Sequence, residues 1–171
     1  LGLQMAHALG EAGARIMLSS RKADELEKAV ADLEAAGIDA RWTAADCAVE
    51  ADIHRLADET LERMGDIDIL VNNAGAAWGA PAEDHPLDAW DKVMNLNVRG
   101  YFLLSQRVAK KSMIARKQGR IINIASTAGL GGNPPEMHTL PCNTSTGAVV
   151  TCTRALACEW VHSGITVNAI C

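Results

Sequence analysis

Short apolar runs alternate along the chain with longer stretches in which apolar side chains recur at helical spacing. Residues 3–12 have a helix-like pattern ended by Gly13, and 15–19 form a short apolar run that fits a strand. Residues 24–36 place Leu26, Ala29, Val30 and Leu33 on one helix face, with Asp24 and Glu27 spaced as a capping box and Gly37 as the stop. A strand is expected over 40–45, a helix over 51–64 before Gly65, and a buried strand over 67–71. A helix follows Pro86, and another long helical stretch ends near Lys117. Strand 120–125, a loop rich in Gly and Pro, helix 146–162 and strand 165–169 complete the pattern. Alternating strands and helices predict a parallel sheet with helices on both faces and right-handed crossovers. No linker, low-complexity tract or repeat breaks the pattern, so residues 1–171 are expected to form a single domain.

Composition narrows the chemistry. Hydrophobic residues make up 49% of the 171, a globular value, and only 4% are aromatic, so small aliphatic side chains must fill the core. The net charge is -5, and Lys110, Lys111, Arg116 and Lys117 form a short cluster that fits a solvated helix end; a nucleic-acid partner is not expected. No apolar run is long enough to span a bilayer, so no membrane partner is expected either. The five cysteines, Cys47, Cys142, Cys152, Cys158 and Cys171, contain no Cys-x-x-Cys pair and no matched histidine, which argues against a metal site and for reduced thiols in a cytoplasmic protein.

Four motifs stand at strand ends or on the next helix, where open α/β sheets bind ligands. Asn72-Asn73-Ala74-Gly75 follows strand 67–71, and the small Ala74 and Gly75 let a flat molecule approach the backbone. Asn97 lies within Asn95-Leu96-Asn97-Val98-Arg99-Gly100, Ser126 ends Ile121-Ile122-Asn123-Ile124-Ala125-Ser126, and Asp46, with Cys47 beside it, follows strand 40–45. In this order the motifs resemble those of the short-chain dehydrogenase/reductase family, particularly its 3-oxoacyl-carrier-protein reductases and gluconate dehydrogenases. The resemblance covers essentially the whole chain and implies a Rossmann-type doubly wound parallel sheet in three α/β/α layers. It makes Asn97 part of a proton relay and Ser126 the donor to a substrate carbonyl. Asn73, Ala74, Gly75, Asp46, Cys47 and Thr146 become cofactor contacts, with Asp46 at the adenine. Gly2 in Leu1-Gly2-Leu3 becomes the last glycine of a phosphate-binding turn that opens the first helix. Where a relative using NAD carries an acid to hold both ribose hydroxyls, this chain has Ser20 followed by Arg21; arginine can bind a 2′-phosphate bidentately, so NADP is expected, with NAD as the alternative.

The family's Tyr-x-x-x-Lys pair is replaced. Cys142 stands at the Tyr position and Thr146 at the Lys position, in Cys142-Asn143-Thr144-Ser145-Thr146. A thiol is more acidic than a phenol, about 8.5 against 10, but it lacks the ring's reach, and threonine carries no charge to tune a neighbour. Loss of a positioned acid lowers a rate by roughly 10²–10⁴. Three readings follow. Catalysis is lost and the protein is a nucleotide-binding or oligomer-partner subunit; Cys142 serves as a nucleophile, with His138 nearby; or the two residues are errors in a partial gene, each one base change from the family residue.

The resemblance further implies that the chain lacks the family's first strand, central in the order 3-2-1-4-5-6, and its C-terminal part, so that the sheet divides into halves. The expected activity is hydride transfer between NADP(H) and a small-molecule carbonyl or secondary alcohol. By the same analogy the protein is a homo-oligomer, a tetramer or dimer, built through the helix ending near Lys117 and the helix beginning near Thr146. Met137 and Leu140, on or beside the Gly- and Pro-rich loop, are candidates for touching substrate or for packing the loop.

Overall fold

A computed structural model describes all residues, 1–171. They form two compact units, Leu1–Asp66 and Ile67–Cys171. In the first, helix α1 (Gly2–Glu11), strand β1 (Ile16–Ser20), helix α2 (Ala23–Ala35), strand β2 (Ala40–Ala44) and helix α3 (Glu50–Met64) follow one another. Strand β1 pairs with β2 in parallel, from Ile16 opposite Ala40 to Ser20 opposite Ala44. Ala6, Ile16, Val30, Leu33, Ile38 and Ala40 bury one cluster against this sheet. A Cβ at Gly10 would collide with the Ile38 side chain, so α1 packs on the residues before β2 with no room for a larger group. Gly13, Gly37 and Gly65, each with positive φ, end the three helices at the glycines the sequence marks.

The Asp24–Glu27 capping box does not form. Helix α2 is preceded by extended Lys22 and has no side-chain cap. The chain turns earlier because the Lys22 N–H donates to Ser20 Oγ at 3.2 Å, which puts Asp24 and Glu25 inside the first turn. There they favour the positive end of the helix dipole instead.

The second unit contains strands β3 (Ile69–Asn72), β4 (Gly119–Ile124) and β5 (Ile165–Ile170), all parallel in the order β3-β4-β5. Strand β3 starts later than the sequence suggests. The Ile67 N–H donates to Ser112 Oγ, and its carbonyl accepts from Arg116, so Ile67 is tied to a helix rather than to the sheet. The expected pair of helices before β4 is one continuous helical run: α4 (Leu87–Met94), a wide π-turn at Asn95–Gly100, α5 (Tyr101–Val108), a second wide turn at Ala109–Met113, and α6 (Ile114–Arg116). Lys117, the one non-glycine residue with positive φ, ends it.

Helix α7 (Leu140–Glu159) begins at Leu140 and not at residue 146. Pro141 lies in its first turn, where a fixed φ and a missing N–H suit a helix start, and it is fully buried. Cys142 to Thr146 therefore form the opening turns of a long helix. No helix of the protein is long and apolar enough to cross a membrane.

A buried chain of amides and hydroxyls sets the register of the second sheet. Asn72 Nδ2 donates to Ser105 Oγ at 3.0 Å and to Asn123 Oδ1 at 2.8 Å. Asn123 Nδ2 donates to Thr153 Oγ1 at 2.9 Å, and that hydroxyl donates to the Val149 carbonyl. All four side chains are buried, and Asn72 and Asn123 are register partners on β3 and β4. A slip by one residue would separate them and leave polar groups unpaired in the core. Asn123→Leu removes the middle link and orphans groups on both sides. It is expected to destabilise the protein by about 2–4 kcal/mol, measured by urea denaturation.

Candidate active site

The carboxyl ends of β3 and β4 carry the reaction-site candidates of the second unit. Strand β3 ends at Asn72, and Asn73, Ala74 and Gly75 leave the sheet as a loop. Asn97 sits in the wide π-turn between α4 and α5, a departure from α-helix often found at functional positions. Its carboxamide is fully engaged. Oδ1 accepts the Ala76 N–H at 2.8 Å, and Nδ2 donates to the Ala76 carbonyl at 2.9 Å and to Ser145 Oγ at 3.0 Å. The side chain reads the Ala76 backbone as a neighbouring strand would, and so clamps the Asn-Asn-Ala-Gly loop against the helix.

Ser145 closes the connection to α7. It is fully buried, and its hydroxyl donates to the Cys142 carbonyl at 3.1 Å. One hydroxyl thus joins Asn97 to the turn that holds positions 142 and 146. Thr146 is also buried, and its Oγ1 donates back to the same Cys142 carbonyl at 2.7 Å. This hydroxyl satisfies its own helix and adds no charge to the site. Cys142 is half-buried.

Ser126 follows β4 and caps a short 3-10 turn, Thr127–Leu130, its Oγ accepting the Ala128 N–H at 3.1 Å. That bond uses a lone pair of the hydroxyl and leaves its hydrogen for another acceptor. The loop beyond is pinned to α7 by Asn143. Its Nδ2 donates to the carbonyls of Ala128 and Gly131, and its Oδ1 accepts from Thr139 Oγ1 and Asn133 Nδ2. Gly129 lies against the helix backbone, for a Cβ there would fall 2.6 Å from the Gly147 nitrogen. The second unit therefore brings Asn97, the 73–76 loop, the Ser126 turn and the 142–146 turn into one hydrogen-bonded assembly. Ser145 and Asn143 are absent from the sequence-based candidates. The available signal was their place between positions 142 and 146, where small polar residues occupy a helix turn that a non-polar core face does not need.

The first unit carries the remaining candidates. Gly2 is the first residue of α1, and the opening N–H groups of a helix have no partners within it. Ser20 ends β1, with its hydroxyl facing the Lys22 backbone. Arg21 is exposed and makes no ion pair, whereas Lys22 is bridged to Glu25. No carboxylate stands at position 20 or 21. Asp46 follows β2; its Oδ1 accepts the Ala48 N–H, and its own N–H donates to Asp52. That N–H and the Arg55 guanidinium hold the Asp52 carboxyl below its ordinary pKa. Burial, then the Asp46 and Asp52 carboxylates, push the Cys47 thiol up, away from its thiolate form.

A short-chain dehydrogenase family model matches residues 1–171. The chain belongs to the short-chain dehydrogenase family. It is 37% identical over 173 residues to a rhamnolipid-biosynthesis 3-oxoacyl-[acyl-carrier-protein] reductase of Pseudomonas aeruginosa, covering 99% of this chain and 66% of that protein. The structure superposes on an F189W actinorhodin polyketide ketoreductase with NADPH at a TM-score of 0.95 and 36% identity, over 99% of this chain and 64% of that one. An NAD+-bound xylitol dehydrogenase gives 0.92 and 36%, over 98% and 64%. The fold is accordingly α/β and Rossmann-like, and the chain spans about two thirds or less of the length of these relatives.

The Asn97 clamp makes a measurable claim within this family frame. Asn97→Ala leaves the Ala76 N–H and carbonyl and the Ser145 hydroxyl without their partner, for an expected loss of about 2–4 kcal/mol. Hydrogen exchange at the Ala76 amide should accelerate by about tenfold or more, while exchange in β4 follows only the global change.

Proposed function

We propose that the protein is an NADP(H)-binding oxidoreductase that interconverts a carbonyl compound and a secondary alcohol, with its proton-transfer pair altered at Cys142 and Thr146. Both units are read as parts of one dinucleotide-binding domain of a cytoplasmic homo-oligomer. The observation that carries the reading is the Asn97–Ser145 connection: it holds the 73–76 loop and the 142–146 turn together at the ends of parallel strands, where this fold binds ligands.

The residues fit a phosphorylated dinucleotide. In the first unit the opening of α1 at Gly2 offers free N–H groups to a pyrophosphate. Ser20 and the unpaired Arg21 offer a hydroxyl and a guanidinium, with no carboxylate beside them to repel a 2′-phosphate. Asp46 keeps a carboxylate oxygen for the adenine, with the half-buried Cys47 next to it in the chain. In the second unit Ala74 and Gly75 provide a small-residue surface beside Asn73, and a Cβ at Gly75 would meet only ordinary contacts, with Asn97 Oδ1 and the Asn73 carbonyl. The NADPH-bound ketoreductase supports the same cofactor; the NAD+-bound xylitol dehydrogenase keeps NAD as the alternative.

Reduction adds a hydride to the carbonyl carbon and a proton to its oxygen. The nicotinamide supplies the hydride when bound. Ser126 donates to the carbonyl oxygen, and Asn97 orders the relay side of the site. The proton must come from the 142 position, where Cys142 is too short to replace a phenol. Thr146 turns its only side-chain polar hydrogen into the helix and carries no charge. These two observations favour, as the second reading, a subunit that binds the nucleotide and turns over slowly or not at all.

Two measurements separate the readings. Titration with NADPH and NADH should show preference for NADPH, and Arg21→Glu should reduce that preference by about tenfold or more, since it removes a charge-assisted pair and adds repulsion. Equal binding of both nucleotides before and after the change would remove the NADP assignment. Carbonyl reduction should rise by roughly 10²–10⁴ in the double variant Cys142→Tyr, Thr146→Lys. Nucleotide binding without any gain in the double variant would select the non-catalytic reading.

A further inference from the structure

The surroundings of Ser126 and Cys142 contain information on the substrate itself. Two loops flank them in the second unit, 73–86 after β3 and 125–139 after β4. They touch, since a Cβ at Gly79 would fall 2.9 Å from the His138 carbonyl oxygen. Neither loop contains a lysine or arginine. The sequence has none between Arg63 and Lys92 and none between Arg120 and Arg154. The ionisable side chains on the loops are Glu83, Asp84, Glu136, His85 and His138. An anionic substrate would meet carboxylates there and no guanidinium or ammonium.

The amide and hydroxyl side chains around the start of α7 are already committed. Asn133, Thr139 and Asn143 look suited to a polyol, but they are spent on one another and on loop carbonyls, with both Asn143 N–H groups committed to Ala128 and Gly131. Binding a sugar through them would release the loop from α7. Instead the loops and the first residue of α7 expose large apolar groups: Trp78, Leu130, Met137 and Leu140 are 47, 64, 55 and 43% accessible. Thr139, between Met137 and Leu140, is bonded to Asn143, and Leu130 ends the turn that Ser126 caps. The apolar groups are therefore continuous in the chain with the reaction-site candidates.

Resting on the oxidoreductase reading above, we infer that the substrate is an uncharged carbonyl compound or secondary alcohol with an apolar alkyl or aryl body, and not a polyol or sugar acid. Ser126 fixes the carbonyl end, and Trp78, Leu130, Met137 and Leu140 desolvate the body. The xylitol dehydrogenase shows that polyol dehydrogenases share this fold, so the fold does not decide the class; the side chains on these loops do.

The test uses the protein saturated with NADPH and three ketones, each titrated calorimetrically: benzylacetone (neutral, aryl), fructose (neutral, polyol) and 5-ketogluconate (anionic, polyol). Binding does not require turnover, so the residues at 142 and 146 do not hide the answer. Benzylacetone is expected to bind about tenfold or more tightly than either sugar, from the apolar area it buries. Leu130→Glu and Met137→Glu, made separately at exposed positions that the fold does not rely on, should each weaken benzylacetone by about fivefold or more and leave NADPH affinity unchanged. A preference for fructose or 5-ketogluconate, equal or undetectable binding of all three, or insensitivity of benzylacetone to both variants would overturn the inference. Failure of the cofactor reading has a separate signature, loss of NADPH binding in the nucleotide titration. The same three ketones titrated into the nucleotide-free protein would then decide the apolar class by the same criteria.

Discussion

The second unit depends on one carboxamide. Asn97 is buried, and each of its hydrogen-bonding atoms facing the loop or α7 has a partner at 2.8–3.0 Å. A buried amide left unpaired would destabilise the fold, so the loop backbone at Ala76 and the hydroxyl at Ser145 must stay where the amide requires them. That requirement explains why helix geometry relaxes to a π-turn over Asn95–Gly100. The extra residue in the turn lets a helical side chain reach a strand-end loop on one side and α7 on the other. Loop position and the placing of Ser145 thus answer to the same amide.

The buried Asn72–Asn123 pair works in the same way at the sheet. Aliphatic strands such as Ile121-Ile122 and Ile69-Leu70 supply burial but little choice of register, because isoleucine packs almost equally well against several neighbours. The amide chain from Ser105 to Thr153 supplies the choice. In a protein with so few aromatic residues, shape alone specifies less, and polar pairing inside the core specifies more.

Much of this was legible in the sequence, and the remainder had identifiable physical obstacles. Apolar periodicity marked each strand and helix, and the glycines at 13, 37 and 65 marked the stops, because positive φ is difficult for other residues. Strand ends moved by a residue or two where side chains intervened, as Ser112 and Arg116 do at Ile67. The capping box failed because the Ser20 hydroxyl offers a competing turn three residues before Ala23. The early start of α7 was hidden by a Gly- and Pro-rich loop that reads as non-helical up to Pro141, although proline at a first turn is itself a helix signal. In the site, Asn97 and Ser126 were visible as motif residues. Ser145 and Asn143 were not, because their importance lies in partners 48 and 15 residues away that only the fold brings near.

The altered pair at 142 and 146 separates two properties that usually travel together. Holding the site together relies on Asn97, Ser145, Asn143 and Gly129, all of which keep their contacts. Proton delivery, as proposed above, would rely on a reach and a charge that cysteine and threonine do not have. Thr146 shows how the fold tolerates the change: a lysine there would need a polar partner for its ammonium, whereas the threonine hydroxyl is satisfied by the Cys142 carbonyl one turn back. The substitution therefore leaves no orphaned group and places no strain on Ser145 beside it. On the proposed reading the loops and the buried amides stay under the same constraints whichever residues stand at 142 and 146.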